Sequence, residues 1–391
     1  MANWKYIKLG DKCLVERGGS PRPIEEYITT DESGINWIKI GDTTDSMFIT
    51  STAQKIIPEG QKKSRNVFKG DFLLSNSMSF GRPYILKIDG CIHDGWLVIR
   101  DYQGLFNKHF LYYFLSAPKT YEHLKSLAVG GVVNNLNTGM VKNLKIPLPT
   151  LQEQKEIADK LDKLEGLLAL RKQQLSKLDQ LVKARFVEMF GECKTNPKNW
   201  ELLNMEDIAE VGSSKRVFVE ELQDSGIPFY RGTEVGALAE GQNVTPEFHI
   251  TKEHYDELVK ASGLPQKGDL LMPSICPDGR IWVVDTDKPF YFKDGRVLWI
   301  HNIDKSFNSI FLLYTLKDRI MTNYLSIASG TTFAELKIFT LKQCKVFSVP
   351  LPLQEAFATF VQKVDKAKTA VKQSLEKLET LKKSLMQEYF G

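Results

Sequence analysis

Residues Ile146–Gly191 read IPLPTLQEQKEIADKLDKLEGLLALRKQQLSKLDQLVKARFVEMFG, and this stretch decides the architecture. Pro147 and Pro149 open it, where proline suits a helix start, and no further proline follows for about 40 residues. Ile157, Leu161, Leu164, Leu168, Leu175, Leu178, Val182 and Met189 alternate in steps of four and three, the seam of a coiled coil, with Arg171 and Arg185 interrupting it. Gly191 stands where a C′ glycine ends a helix. At ~1.5 Å per residue the result is a rod of roughly 60 Å, too long for the interior of an ordinary core.

The rod occurs twice. Val349–Gly391 opens on Pro350-Leu351-Pro352 and Leu353-Gln354-Glu355, which restate Pro147-Leu148-Pro149 and Leu151-Gln152-Glu153, and it closes on Tyr389-Phe390-Gly391 as the first closes on Met189-Phe190-Gly191. The corresponding seam positions are Phe357, Val361, Val364, Lys368, Val371, Leu375, Leu378, Lys382, Leu385 and Tyr389, so the heptad phase is repeated with the composition. The segments before the rods repeat as well. Arg17–Arg22 matches Val211–Arg216, Ile35–Asp42 matches Ile227–Glu234, Gly70–Leu74 matches Gly268–Met272, and Asp94-Gly95 matches Asp294-Gly295. The ordinary reading of these glycines and aspartates is turn chemistry between strands. Tyr84–Ile88, Leu97–Arg100 and Ile281–Val284 alternate as short strands, whereas Asn107–Leu115 and Ser309–Leu316 read as buried helices feeding glycine loops at Gly130-Gly131 and Gly330-Thr331.

The expected fold is therefore α+β: two globular domains alternating with two long helices in a pseudo-two-fold repeat, divided as 1–148, 149–191, 192–350 and 351–391, with Glu192–Lys198 as a short polar linker. The seam alone leaves parallel and antiparallel pairing open. In either arrangement Arg171, Arg185, Lys368 and Lys382 fall opposite apolar residues, where long basic side chains can snorkel outward.

Of the 391 residues, 42% are hydrophobic and 26% charged, and no apolar run approaches the ~20 residues of a membrane span. The five cysteines are odd in number and far apart, which fits neither a disulfide framework nor a metal site and suggests the cytoplasm. The net charge of +4 is too small for a protein that holds nucleic acid by charge alone, so any basic patch is local. Phosphate-loop, GxGxxG and HExxH motifs are all missing, and the six histidines have no zinc spacing. Glu335-Leu336-Lys337 is like the tail of a nuclease motif but lacks a convincing upstream aspartate.

Two diverged domains alternating with two long helices, each opened by PLP and LQE, resemble the specificity subunit of type I restriction–modification enzymes. Gly18–Arg22, Ile35–Thr44, Gly70–Gly81 and Ile92–Val98 are similar to a target-recognition domain of that family. The resemblance implies a non-catalytic, sequence-specific DNA-recognition subunit. Each domain would read one half of a bipartite site in double-stranded DNA. The helices would form an antiparallel coiled coil that sets the spacing and docks two methyltransferase subunits, with restriction subunits joining through the complex. S-adenosylmethionine, ATP and Mg would then belong to those partners, and this chain would hold no cofactor and no metal. Alternative readings are the recognition subunit of a modification-only methyltransferase, a coiled-coil scaffold binding something other than DNA, and a stand-alone nuclease, the last opposed by the missing acidic metal site.

Base readout needs polar side chains on loops able to enter a groove. The candidates in the first domain are Ser20, Arg22, Thr43, Thr44, Asn76, Ser77, Ser79 and Arg82, with Asn134 and Asn135 on the glycine loop. Those in the second are Ser214, Lys215, Arg216, Thr233, Ser274 and Arg280, with Thr331 and Thr332. Trp37, Trp96, Phe229 and Trp299 read as core aromatics rather than stacking platforms.

Overall fold

The computed structural model describes residues 4–76, 80–128, 135–329 and 334–391, and it divides into two compact units, 1–173 with 372–391 and 174–371. Each unit contains one globular domain and parts of both long helices.

In the first unit the alternating strands build two five-stranded sheets. One runs in the order Leu14–Arg17, Trp96–Arg100, Phe72–Ser75, Pro83–Leu86 and Phe48–Ile49. The other runs Ile28–Thr29, Gln54–Ile56, Ile35–Ile38, Gly90–Ile92 and Arg65–Val67. Period-two alternation sorts the first sheet's side chains between two cores. Leu73, Tyr84, Trp96 and Val98 turn toward Ile38, Ile92 and Val67 of the second sheet. Phe72, Leu74, Leu97 and Ile99 turn toward the helix Lys108–Ser116. Both faces are thus buried, and Trp37 and Trp96 are core residues as the sequence suggested.

The second unit repeats this plan in reduced form. Its larger sheet runs Glu210–Gly212, Val297–His301, Leu270–Pro273 and Trp282–Val283, in the same spatial order. In both units the companion sheet joins two strands in parallel, Cys91 beside Trp37 and Tyr291 beside Phe229. The differences lie between the strands. A helix, Gly232–Ala239, stands where the first domain has the single turn Ile40–Asp42, and Lys252–Ser262 stands where it has Pro58–Gln61. Each domain closes with a two-stranded ribbon tying its start to its end, Tyr6–Lys8 with Lys145–Pro147 and Glu201–Asn204 with Lys345–Ser348.

The long helices run Leu151–Phe190 and Leu351–Phe390. Pro147 ends a ribbon strand, so the prolines of the first rod precede the helix rather than begin it. Gly191 does terminate it, at φ +85°. In the first unit Glu165 pairs with Lys382, and Arg171 Nε donates to Ser374 Oγ at 3.2 Å. In the second, Asp179 meets Lys368 at 2.7 Å and the Phe186 ring lies 5.5 Å from that of Phe357. Positions rise along one helix as they fall along the other, so the coil is antiparallel. That direction also corrects the expectation for the seam cations. Lys368, Lys382 and Arg171 meet acidic or hydroxyl partners, and Arg185 pairs with Glu188 at 2.9 Å.

Toward the ends of the rods, packing shifts from the coil seam to the domains. Ile157, Leu161, Met386 and Phe390 join the first domain's core, and Phe390 packs edge-on against Phe110 and Phe114. Val182, Phe186, Phe190, Phe357 and Val361 join the second. Phe186, Phe190 and Phe390 are therefore buried, while the seam residues Met189 and Tyr389 are only half-buried. One buried glutamine locks each domain to its rod. Asn107 N donates to Gln154 Oε1 at 2.8 Å, and Gln154 Nε2 donates to Leu105 O and Pro149 O. Gln354 makes the same set with Asn308 N, Ser306 O and Val349 O. The equivalent glutamines are thus Gln154 and Gln354, so the Leu-Gln-Glu match, which placed Gln152 opposite Gln354, is out of register by two. The linker Glu192–Lys198 is tied down too. Cys193 is buried with its amide donating to Asp318, and Lys198 Nζ donates to Glu188 O at 2.8 Å.

All five cysteines are free and buried; burial pushes the Cys91 and Cys344 thiols up to about 11 and those of Cys13 and Cys276 to about 12. No helix among the described residues is long and apolar enough to cross a membrane.

Candidate nucleic-acid interface

In the first domain, segments far apart in the chain meet at one edge of the larger sheet. The loop after strand Leu14–Arg17 lies so close to the chain at Ile92-His93 that a Cβ on Gly18 would fall 2.0 Å from His93 O, which requires glycine there. Ser20 Oγ donates to Asp94 Oδ1 at 2.8 Å, Arg17 Nε to Asp94 O at 2.9 Å, and Asn76 Nδ2 to the same carbonyl at 2.8 Å. Asn76 also holds Gly95 through its amide and receives Leu136 N. Gly95 N donates to His93 Nδ1 at 2.6 Å. Burial keeps His93 below its usual value. Burial alone would raise Asp94, but the Ser20 hydroxyl, His93 and Arg17 hold its carboxyl low. The Asp94-Gly95 turn is therefore a rigid centre with an ionised carboxylate. Beside it Arg22 is 83% exposed, its Nη2 3.7 Å from Asp94 Oδ2.

The second domain arrives at a similar edge with other contacts. Gly295 N donates to Ser213 Oγ, which itself donates to Val297 O. Lys215 N donates to the Tyr291 hydroxyl. Arg216 is 70% exposed, with Nε 3.8 Å from Asp294 Oδ2 and its guanidinium over the Phe218 ring. Lys293 Nζ lies 3.2 Å from Asp294 Oδ1. Ser274 N donates to Arg296 O, and Ser274 O accepts from Leu336 N. These two bonds repeat those of Asn76.

The strand register qualifies the sequence match. Leu74 pairs with Leu97 as Met272 pairs with Leu298, which sets Gly95 opposite Arg296 and Asp94 opposite Gly295. Asp94 and Asp294 are therefore one position out of register.

The candidates separate accordingly. Arg22, Thr44, Arg82, Lys215, Arg216 and Thr233 are exposed, and Ser20, Asn135 and Arg280 are partly so. Arg82 is next to Ser75, whose amide donates to Arg82 O and whose hydroxyl accepts from Arg82 N, and so shares the Asn76 end of its sheet. Asn76 and Ser274 are corrections. At 1% and 2% exposure they organise the turns and cannot reach a groove. The hydroxyls of Thr43 and Ser214 are likewise donated to backbone, at Ile40 O and Phe292 O. Thr233 starts the helix Gly232–Ala239, where its hydroxyl donates to Glu234, and Arg280 pairs with Asp278 while lying against Gly236. Ser77, Ser79, Asn134, Thr331 and Thr332 lie outside the described residues.

The sequence reading missed Arg17, Asp94, Asp294 and Arg296, because Asp-Gly reads as a generic turn and nothing local says what folds against it. Glu335 is bridged by Arg296 and by Lys337, so the nuclease-like Glu335-Leu336-Lys337 is an ion-pair cluster. Among the described residues no group of three or more His, Cys, Asp or Glu side chains is placed to hold a metal.

Two stretches, residues 1–180 and 197–380, match the family described as the type I restriction modification DNA specificity domain. The chain is 24% identical to the type I restriction enzyme MjaVIII specificity subunit of Methanocaldococcus jannaschii, covering 98% of this chain and 91% of the relative. It is 25% identical to a putative specificity subunit of Haemophilus influenzae over 69% of this chain and 67% of that one. Among solved structures, it resembles the type I restriction–modification S subunit of M. genitalium, with a TM-score of 0.59 at 15% identity over all of this chain and 96% of that one. It also resembles a chain from a study of complex assembly and conformational transition in a type I system, with a TM-score of 0.61 at 19% identity, covering 100% and 98%.

Proposed function

The chain belongs to the type I restriction–modification DNA specificity family, and from that premise we propose that its two loop edges each read one half of a split site in double-stranded DNA. The carrying observation is the recurrence, in both domains, of an exposed arginine beside a rigid Asp-Gly turn at the same end of the same sheet. Such an arginine can reach phosphate or the acceptor edge of guanine. The antiparallel coil acts as the spacer between half-sites and as the docking surface for two methyltransferase subunits. Leu167, Leu170, Leu181 and Leu381 stay exposed on the rods and suit that contact.

The chain itself performs no chemistry in this reading. S-adenosylmethionine, ATP and Mg belong to the methyltransferase and restriction subunits, which place the complex in the cytoplasm. The donor set here does not fit Mg, since among the described residues no three His, Cys, Asp or Glu side chains converge to hold it.

Replacing residues 192–350 with the second domain of another specificity subunit, in the assembled methyltransferase, tests the division of labour. The methylated motif is expected to change in one half only. A change in both halves, or in neither, rejects it.

A further inference from the structure

Within that DNA-reading assignment, on which this inference rests, one feature of both edges is unexpected for a surface that approaches phosphate: a carboxylate at its centre. We propose that Asp94 and Asp294 are specificity-determining positioning residues, each competing with backbone phosphates for the neighbouring arginine, Arg22 or Arg216. Three observations support this. The pairs are loose, at 3.7 Å and 3.8 Å, beyond ordinary hydrogen-bond length, and their arginines are 83% and 70% exposed. An exposed pair of that kind opens at little cost, so it can yield to a correctly placed base edge or phosphate. The carboxylates, by contrast, are held in place. Asp94 is fixed by Ser20 Oγ, with Arg17 and Asn76 on its carbonyl, and the turn that carries Asp294 is fixed by Gly295 N donating to Ser213 Oγ, with Lys293 Nζ 3.2 Å from Asp294 Oδ1. Finally, the strand register places Asp94 and Asp294 at non-equivalent positions, yet an arginine stands beside each. The pair is therefore not simply carried along by a shared framework.

Competition of this kind acts mostly on non-specific binding. At random sequence the arginine gains only a phosphate and must leave its aspartate to do so. At the cognate half-site it gains a base edge as well.

The test uses the assembled methyltransferase with Asp94→Asn, which keeps a hydrogen-bond partner for Ser20 and removes the charge. Affinity for random duplex should rise about sixfold, the attraction between unit charges about 4 Å apart in water, as Arg22 and Asp94 are. Discrimination against base changes in the first half-site should fall, with the second half-site unaffected. Asp294→Asn should give the mirror result. In an Arg22→Ala background, Asp94→Asn should change nothing, because the competitor is gone. An unchanged random-duplex affinity overturns the proposal. So does an equal gain in the Arg22→Ala background, which would mean plain repulsion of DNA. If Arg22→Ala by itself alters neither cognate nor random binding, the loop does not touch DNA, and it is the DNA-reading assignment that fails.

Discussion

Truncation of the buried Gln154 gives a local test of how the domains are fixed to the rods. Its side chain is fully buried and serves three backbone groups: Asn107 N at 2.8 Å, Leu105 O at 2.9 Å and Pro149 O at 3.0 Å. Gln154→Ala leaves all three without a partner. Each unsatisfied buried group costs ~1–3 kcal/mol, so even at the low end the junction loses about 3 kcal/mol. At ~1.4 kcal/mol per tenfold, that raises the local opening equilibrium roughly a hundredfold. Amide hydrogen exchange is the right assay, because a chain with two compact units need not unfold in one step. The amide of Asn107, together with the first turn of the helix Lys108–Ser116 that Asn107 caps, should lose about two orders of magnitude of protection. The amide of Asn308, held by Gln354 in the other unit, should not change. Loss of less than fivefold at Asn107 would show that water replaces the glutamine freely and that the lock is not structural. Equal loss at Asn308 would show that the two junctions are not independent.

Phe390→Ala removes a ring packed on Phe110 and Phe114 and should cost about 3–5 kcal/mol in the first unit, seen as a lower urea midpoint for that unit's transition. A loss under about 1 kcal/mol would mean the end of the rod is not part of that core. Lengthening the spacer requires insertion in both helices, because Arg171 faces Ser374 in an antiparallel coil. One heptad between Leu168 and Leu175 plus one between Val371 and Leu378 adds ~10 Å, or about 3 base pairs, and the preferred spacer in methylome sequencing should lengthen by that amount with both half-sites kept. An unchanged spacer at full activity would mean the coil does not set the distance. Burial alone would raise Glu234, but hydrogen bonds from Arg231 and Thr233 hold it at about 2 against an ordinary 4.5. Its stabilisation is thus complete above about pH 4.5 and lost as pH falls toward 2. The stability gap between the native chain and Glu234→Gln should be constant from about pH 5 to 7 and shrink below that range; a gap that widened on acidification would reverse the assignment.

The sequence by itself determined whatever is written in neighbouring residues. Heptad spacing fixed two 40-residue helices, because only a helix brings positions three and four apart onto one face. Period-two runs fixed the strands, and repetition of the whole pattern fixed two like domains. What the tertiary structure decided depends on partners remote in sequence. The seam is equally apolar read in either direction, so the antiparallel sense emerges only where Glu165 meets Lys382 and Asp179 meets Lys368. The matching PLP and LQE motifs pointed to a register two or three residues from the true one. That register is set by buried Gln154 and Gln354, each of which has two of its three partners more than 40 residues away. The candidate interface follows the same rule. Its serines and arginines were legible as polar loop residues, but the carboxylate that orders Ser20 and faces Arg22 lies more than 70 residues along the chain. The same closure buries Asn76 and Ser274, since the solvent exposure of a loop residue is decided by which distant strand folds against it.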